Sequence, residues 1–290
     1  MERLEVLKTY KIYIGGQFPR TESGRYYIVR DKKGNSLANV CLSSRKDARN
    51  AVLAARKAFG SWSEKSAFNR SQILYRIAEM LEGRKEQFIG ELMKQGSTQK
   101  AAEKEVELSI DRIVYYAGWA DKFQQIASSV NPVSSSHFNF SVLEPTGVVG
   151  VICPQNTSLI GLVSLIIPVI TGGNTLVALA SESLPLCSIT FAEVLNSSDV
   201  PGGVVNILTG TQKEVATIFA SHMDVNALVG NTNDLNSMSE LAVDNLKRLV
   251  SFDADWMKTE SQGLNYVTDI QEVKTTWHPI ENIGGATSSY

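Results

Sequence analysis

The feature that most restricts this chain is a regular alternation of short apolar runs with helix-forming runs from residue 147 to residue 252. "GVVGVIC" is strand-like and 157–170 helical, 174–178 strand-like and 184–195 helical, 203–208 strand-like and 213–220 helical. Two more strands are expected over 225–229 and 246–252, with a helix over 234–243 between them. Strands that alternate with helices form a parallel sheet through right-handed crossovers. The predicted fold class is therefore α/β with a doubly wound parallel sheet.

The residues before this unit follow a different pattern. "YKIYIGG" and "YYIVRD" are strand-like, and the turn "DKKGN" leads into "SLANVCLSS". Ser44 is placed to cap a helix in which Ala51, Ala54, Ala55 and Phe59 share a face. Periodic apolar residues predict further helices over 66–94 and 101–126, whose stripes are core. "SSVNPVSSSH" is a polar linker, and "HFNFSVLEP" alternates like a strand with one wet face. The tail "GLNYVTDIQEVKTTWHPIENIGG" is β-like and precedes a flexible "GATSSY". The expected division is 1–130 for N-terminal strands and helices, 131–146 for a linker and strand, 147–256 for the α/β unit and 257–290 for a second strand and tail. The two isolated β segments can pair with each other.

Composition narrows the function. With 28 basic and 30 acidic residues among 290, the formal charge is −2, which argues against nucleic acid as the main partner. The most apolar segment, 159–170, is too short to cross a bilayer, so no membrane partner is expected. The N-terminal sixteen residues lack the apolar core of a secretory signal, and three widely spaced cysteines, Cys41, Cys153 and Cys187, fit a reducing compartment. Cytoplasmic localisation is expected. GxGxxG, the P-loop, HExxH and GxSxG motifs are all missing, and no Cys/His cluster offers metal ligands. His137, His222 and His278 fall in three different elements and are read as structural or solvated.

Two strand-to-helix junctions could bind a ligand. In "VVGVICPQNTSLIG" (148–161), Asn156 or Ser158 is expected to cap the helix. In "NALVGNTND" (226–234), Gly230 closes a strand and Asn231, Thr232 and Asn233 open a helix. A glycine at a helix N-terminus can cradle a phosphate, but these residues also cap the helix themselves, and Asp234 adds an opposing charge.

The order of motifs resembles the aldehyde dehydrogenase superfamily from about residue 8 onward. "EPTGVVGVICPQN" matches a pattern that in the family ends P-W-N. "GNTLVALASESLPL" matches the stretch carrying K-P-A-E, and "VPGGVVNILTG" and "LVGNTND" match segments before and at its pyrophosphate turn. The resemblance implies a Rossmann-like sheet with N-terminal helices and a small β oligomerisation element. It implies cofactor-binding positions at Ile152, Pro154, Asn156, Glu182, Gly210, Gly230, Asn231 and Thr232.

The departures shape the functional expectation. Leu179 stands at the family's ribose-binding lysine, Gln155 at its tryptophan, and Gln212 at a glycine. "NLKRLV" passes straight into "SFDADW", so the segment with the general-base glutamate is missing, as is the catalytic domain with its nucleophilic cysteine. After Trp256 the chain jumps to "EVKTTWHPI", which is similar to the family's C-terminal oligomerisation strand. No catalytic residue is expected beyond a relict oxyanion amide at Asn156. "ALASE", "NLKR" and "VKTTWHP" most resemble the non-catalytic second unit of family-16 aldehyde dehydrogenases. The implied function is a pseudoenzyme, a scaffold or partner subunit of a catalytic aldehyde dehydrogenase, forming homo- or hetero-oligomers through 138–143 and 271–277. No cofactor is expected, or NAD(P) with weak affinity; Leu179→Lys is expected to strengthen binding if the site is a relic with its backbone intact. The alternatives are an NAD(P)-binding regulatory module and an active NAD(P)-dependent aldehyde oxidoreductase.

Overall fold

The computed structural model describes residues 6–280. Five parallel strands form the central sheet: β6 (Val148–Ile152), β7 (Thr175–Leu179), β8 (Val205–Leu208), β9 (Ala227–Gly230) and β10 (Arg248–Ser251). Their order is β10-β9-β6-β7-β8. The chain moves outward from β6 through β7 to β8, then returns to the other side of β6 for β9 and β10. The topological switch point thus lies between β6 and β9. The expected doubly wound parallel sheet is present.

The strands β6 to β9 are buried on both faces, which is why they lack polar alternation. On one side lies α6 (Ile160–Thr171), buried along its whole length beneath α2 (Ala67–Glu82) and α4 (Gln99–Trp119). On the other lie α1 (Arg45–Ser63) and α8 (Gln212–Ser221). Ser44 caps α1 as expected, in a reciprocal box: its Oγ accepts from the Asp47 N–H at 3.3 Å, and Asp47 Oδ2 accepts from the Ser44 N–H at 2.8 Å. Trp62, fully buried, donates its indole N–H to the Ile170 carbonyl at 3.1 Å and ties α1 to the end of α6. The helix α7 (Leu186–Asn196) completes the second crossover.

Three predicted helices are divided. The run 66–94 breaks at Gly83 and Arg84 into α2 and α3 (Lys85–Lys94): Gly83 still has helical angles, and the chain changes direction at Arg84, whose φ is −112° and ψ 13°, so that both stripes are buried. The run 101–126 ends α4 at Ala120, where Lys122 donates to the Gly118 carbonyl, and restarts as α5 (Phe123–Ala127) on buried Phe123. The run 234–243 becomes a single turn, α9 (Thr232–Asn236), and a 3₁₀ segment (Glu240–Asn245). Ser237 and Ser239 donate their hydroxyls to the carbonyls of Asp234 and Asn236, competing with helix propagation.

A small N-terminal sheet holds β1 (Thr9–Tyr10), β3 (Ser36–Cys41) and β2 (Tyr26–Arg30), in that order. The third sheet has the order β11-β5-β4. There β5 (His137–Pro145) pairs antiparallel with β11 (Gln271–Pro279) over nine residues, so the two isolated segments do meet within one chain. Part of the polar linker is itself a strand, β4 (Ser129–Asn131), on the other edge of β5. Beyond β4 the edge is closed by a side chain. The Gln124 amide donates to the Leu143 carbonyl at 2.5 Å and accepts from the Leu143 N–H at 3.3 Å, imitating a paired strand.

Residues 252–270 join β10 to β11. Trp256 is 4% exposed, and Phe252 and Trp256 pack on Tyr266 with ring centroids 4.4 and 5.8 Å apart. Arg112, buried on α4, donates to the carbonyls of Trp256 at 3.2 Å and Lys258 at 2.8 Å. The Tyr116 hydroxyl meets Gly263, and Val267, in the short α10 (Asn265–Thr268), and Ile270 are buried in the core. The connection is a packed plug on α4 and α6. The "GATSSY" tail lies outside the described residues.

Candidate functional site

A cleft of about 550 Å³ opens at the carboxyl ends of β6 and β9. This is the switch point, where open α/β sheets place ligands. Ile152, Pro154, Gln155 and Asn156 line one side, Gly230, Asn231 and Asp234 the other. Phe252 to Trp256 of the plug, with Leu165 beneath, form the third wall. Five of the residues singled out in the sequence thus come together: Ile152, Pro154, Asn156, Gly230 and Asn231. Glu182, Gly210 and Thr232 do not line the cleft.

Three of the helices that begin at this end of the sheet, α6, α8 and α9, have N-terminal backbone donors bound to carboxylates of the chain itself. Helix α6 is not capped by Asn156 or Ser158. Glu105, buried on α4, accepts from the backbone N–H groups of Ser158 (3.2 Å), Leu159 (2.8 Å) and Ile160 (3.1 Å) through one oxygen. Asn156 stays exposed, and the Ser158 hydroxyl donates instead to the Leu184 carbonyl. At α8, Glu182 accepts from the Gln212 N–H at 3.1 Å. At α9, Asn231 accepts from the Asp234 N–H at 2.9 Å, the local cap expected from the sequence. Asp253, from the plug, accepts from the Thr232 N–H at 3.1 Å and also from its hydroxyl. Those two bonds, the hydroxyl's first, pull the Asp253 carboxyl below its ordinary range. Gln212 donates its amide to Asp234 at 2.7 Å, linking α8 to α9 across the cleft rim.

Gln155 is also committed. Its amide oxygen accepts from the Glu182 N–H at 2.8 Å, and its nitrogen donates to the Cys153 carbonyl at 3.1 Å, so it braces the β7–α7 loop. Gly210 has φ +154°, and a Cβ there would stand 3.3 Å from the Ser43 nitrogen; it serves close approach to the β3–α1 connection. Leu179 is 1% exposed, packed in a cluster with Ile152, Val177 and Leu208. Glu105 and Asp253 escaped the sequence reading. Glu105 lies on the buried stripe of α4 with Ala102 and Val106, and a carboxylate on an apolar stripe was the available signal.

Chemically, the cleft offers an exposed amide at Asn156, three aspartates (Asp234, Asp253, Asp255) and an apolar floor, with no lysine or arginine lining it. An anion would meet filled helix termini and a negative rim. No group of three or more His, Cys, Asp or Glu suited to a metal occurs among the described residues. Nor is there, among them, a helix long and apolar enough to cross a membrane.

All three cysteines are buried and free. Burial pushes the thiols of Cys153 and Cys187 well above the ordinary range, so neither supplies a thiolate at neutral pH. A thiol raised in the folded state stabilises the fold fully below the unfolded pKa, near 8.5, and loses that contribution as pH rises above it. Lys247, held down to about 8 by burial, acts in the opposite sense. We therefore expect the Cys153→Ala/Cys187→Ala double variant to lose a negative slope of stability against pH between about 8.5 and 10, of up to ~1.4 kcal/mol per pH unit per thiol. Urea melts of both proteins across that range check this. Equal slopes would mean the thiols ionise in the folded chain.

The strand order and switch-point cleft define a Rossmann-type α/β protein. The chain matches the aldehyde dehydrogenase family model over residues 18–251, and it belongs to that family. It is 31% identical to the cytosolic 10-formyltetrahydrofolate dehydrogenase of Mus musculus, over 86% of this chain and 29% of that protein. It is 31% identical to the mitochondrial benzaldehyde dehydrogenase of Antirrhinum majus, over 82% of this chain and 45% of that protein. The structure of an aldehyde dehydrogenase from Bacillus cereus in complex with NAD+ superposes with a TM-score of 0.78 at 27% identity, over 83% of this chain and 50% of that one. The chain thus spans half or less of the length of these relatives.

Proposed function

We propose that this chain is a non-catalytic member of the family, a pseudoenzyme that serves as a scaffold or partner subunit of a catalytic aldehyde dehydrogenase. The observation that carries the reading is the plug over 252–270. The chain passes from β10 to β11 with Trp256 buried and Arg112 holding the carbonyls behind it. A catalytic domain is not needed to complete this core, and no cysteine lines the cleft so formed. The resemblance to the second unit of family-16 enzymes supports the same reading.

The residues present do not fit a dinucleotide pyrophosphate. Glu182, which the resemblance counted among the cofactor-binding positions, is bound to the α8 N-terminus, and Asp253 occupies that of α9. The assembly surface of this proposal is the β11-β5-β4 sheet. Val273 and Trp277 on β11 and Val130 and Phe138 on its neighbours are exposed. The outer edge of β11 pairs with no strand among the described residues, and such an edge invites pairing with another chain.

Light scattering on the full chain and on a version ending at Gln271, alone and mixed with a catalytic aldehyde dehydrogenase, tests the reading. We expect the full chain to self-associate or to bind the enzyme, and the shortened chain to do neither. Calorimetry with NAD+ should show no binding tighter than about 1 mM. A monomer that binds no dehydrogenase sinks the scaffold. A low-micromolar affinity for NAD+ promotes the regulatory module instead.

A further inference from the structure

A second groove, of about 680 Å³, lies between α1 and the C-terminal end of α8. It is lined by Arg45, Lys46, Arg49, Ile218, Ser221, His222 and Met223, and no acidic side chain lines it. Lys46 is paired with Glu22 at 2.7 Å, but neither Arg45 nor Arg49 forms an ion pair or a side-chain hydrogen bond among the described residues.

These arginines break two local rules. Four residues apart on one helix, they set like charges side by side. Arg45 also sits in the first turn, where the helix dipole favours anions. Asp47, the acid of that turn, is buried and spent on the capping box. The α8 C-terminus does not explain them either, since Lys247 already donates to the His222 carbonyl at 2.8 Å. Local conflicts without internal compensation mark functional positions.

His222 completes the arrangement. Its Nδ1 accepts from the Asp224 N–H at 3.2 Å, which leaves Nε2 to carry the ring proton. Ile218 and Met223 supply an apolar wall, Met223 being 61% exposed. Two guanidinium forks and an imidazole N–H suit a dianionic head with three acceptor oxygens.

We propose that this groove binds a phosphomonoester with an apolar body, its phosphate held by Arg45 and Arg49 with His222 and its body against Ile218 and Met223. The site lies apart from the switch-point cleft, so this inference stands or falls separately from the scaffold reading. The groups facing His222 are Arg45 and Arg49 from α1, Lys247 and Asp224. Burial first, then the lysine and the arginines, lower its pKa against the opposing pull of Asp224. A bound dianion reverses that field.

The test uses phenyl phosphate with the full chain. Calorimetry should give saturable binding, weakened at least about fivefold by Arg49→Gln or Arg45→Gln and abolished by both together. Inorganic phosphate should bind more weakly than phenyl phosphate, because it cannot use the apolar wall. The His222 imidazole resonance should titrate at higher pH with phenyl phosphate present. Both arginines are exposed, so folding should survive the changes, which circular dichroism checks. Absence of binding at about 20 mM overturns the proposal. So does binding that both arginine variants retain, or a His222 titration indifferent to ligand.

Discussion

Replacing Glu105 by alanine should lower the unfolding free energy by about 3–5 kcal/mol, one of the two largest single-residue effects we expect in this chain. Three consecutive backbone N–H groups at the start of α6 converge on one Glu105 oxygen. The helix is buried throughout, so no water replaces that acceptor cheaply. Glu105→Gln keeps an oxygen in place and should cost less, about 1–2 kcal/mol. Urea denaturation with an unchanged m value would show that the loss is one of native stability. If Glu105→Ala shifts the midpoint no more than a surface substitution, solvent reaches the α6 terminus and our account of it is wrong.

Leu179→Lys should destabilise the fold by about 3 kcal/mol or more and should not restore a cofactor site. Read from the sequence, Leu179 marks a lost ribose contact, and lysine looks like its repair. The structure corrects that expectation, because Leu179 is 1% exposed and lies in an apolar cluster. A lysine there enters an interior that favours its neutral form, so its folded pKa falls below the unfolded value near 10.4. The unfolded chain then binds more protons, and the variant should regain stability as pH rises toward 10. Thermal melts of the variant at pH 7 and pH 9.5, with and without NAD+, check both parts. A variant as stable as the parent that binds NAD+ would show a vestigial site still open.

The sheet was legible because every strand from β6 to β9 is an apolar run bounded by turn residues. The Ser44 cap was legible because its partner lies three residues away. Long-range pairing was not. Nothing within the 148–161 stretch indicates that Glu105, more than fifty residues earlier, supplies the α6 cap, or that Asp253 reaches back to Thr232. The break at Gly83 and the shortened α9 were hidden for another reason. Periodicity detects a shared apolar face but does not register a one-residue change of direction. In the structure Ile152, Pro154, Asn156, Gly230 and Asn231 meet in one cleft, since strand ends and helix starts mark the switch point. Glu182, Gly210 and Thr232 lie outside its lining, and the bond from the Gln212 N–H to Glu182 depends on a loop conformation that composition does not fix.

The amide of Gln124 bears on stoichiometry. It closes the β5 edge beyond β4, and β4 itself offers three residues, against nine on β11. A sheet with nine residues free on one edge and three on the other has one long place to add a strand. If two copies join there about a twofold axis, each consumes the other's free edge and none is left over. Growth by strand addition would then end at a pair, because the short β4 edge and the Gln124 amide beyond it leave a third chain only three residues to extend.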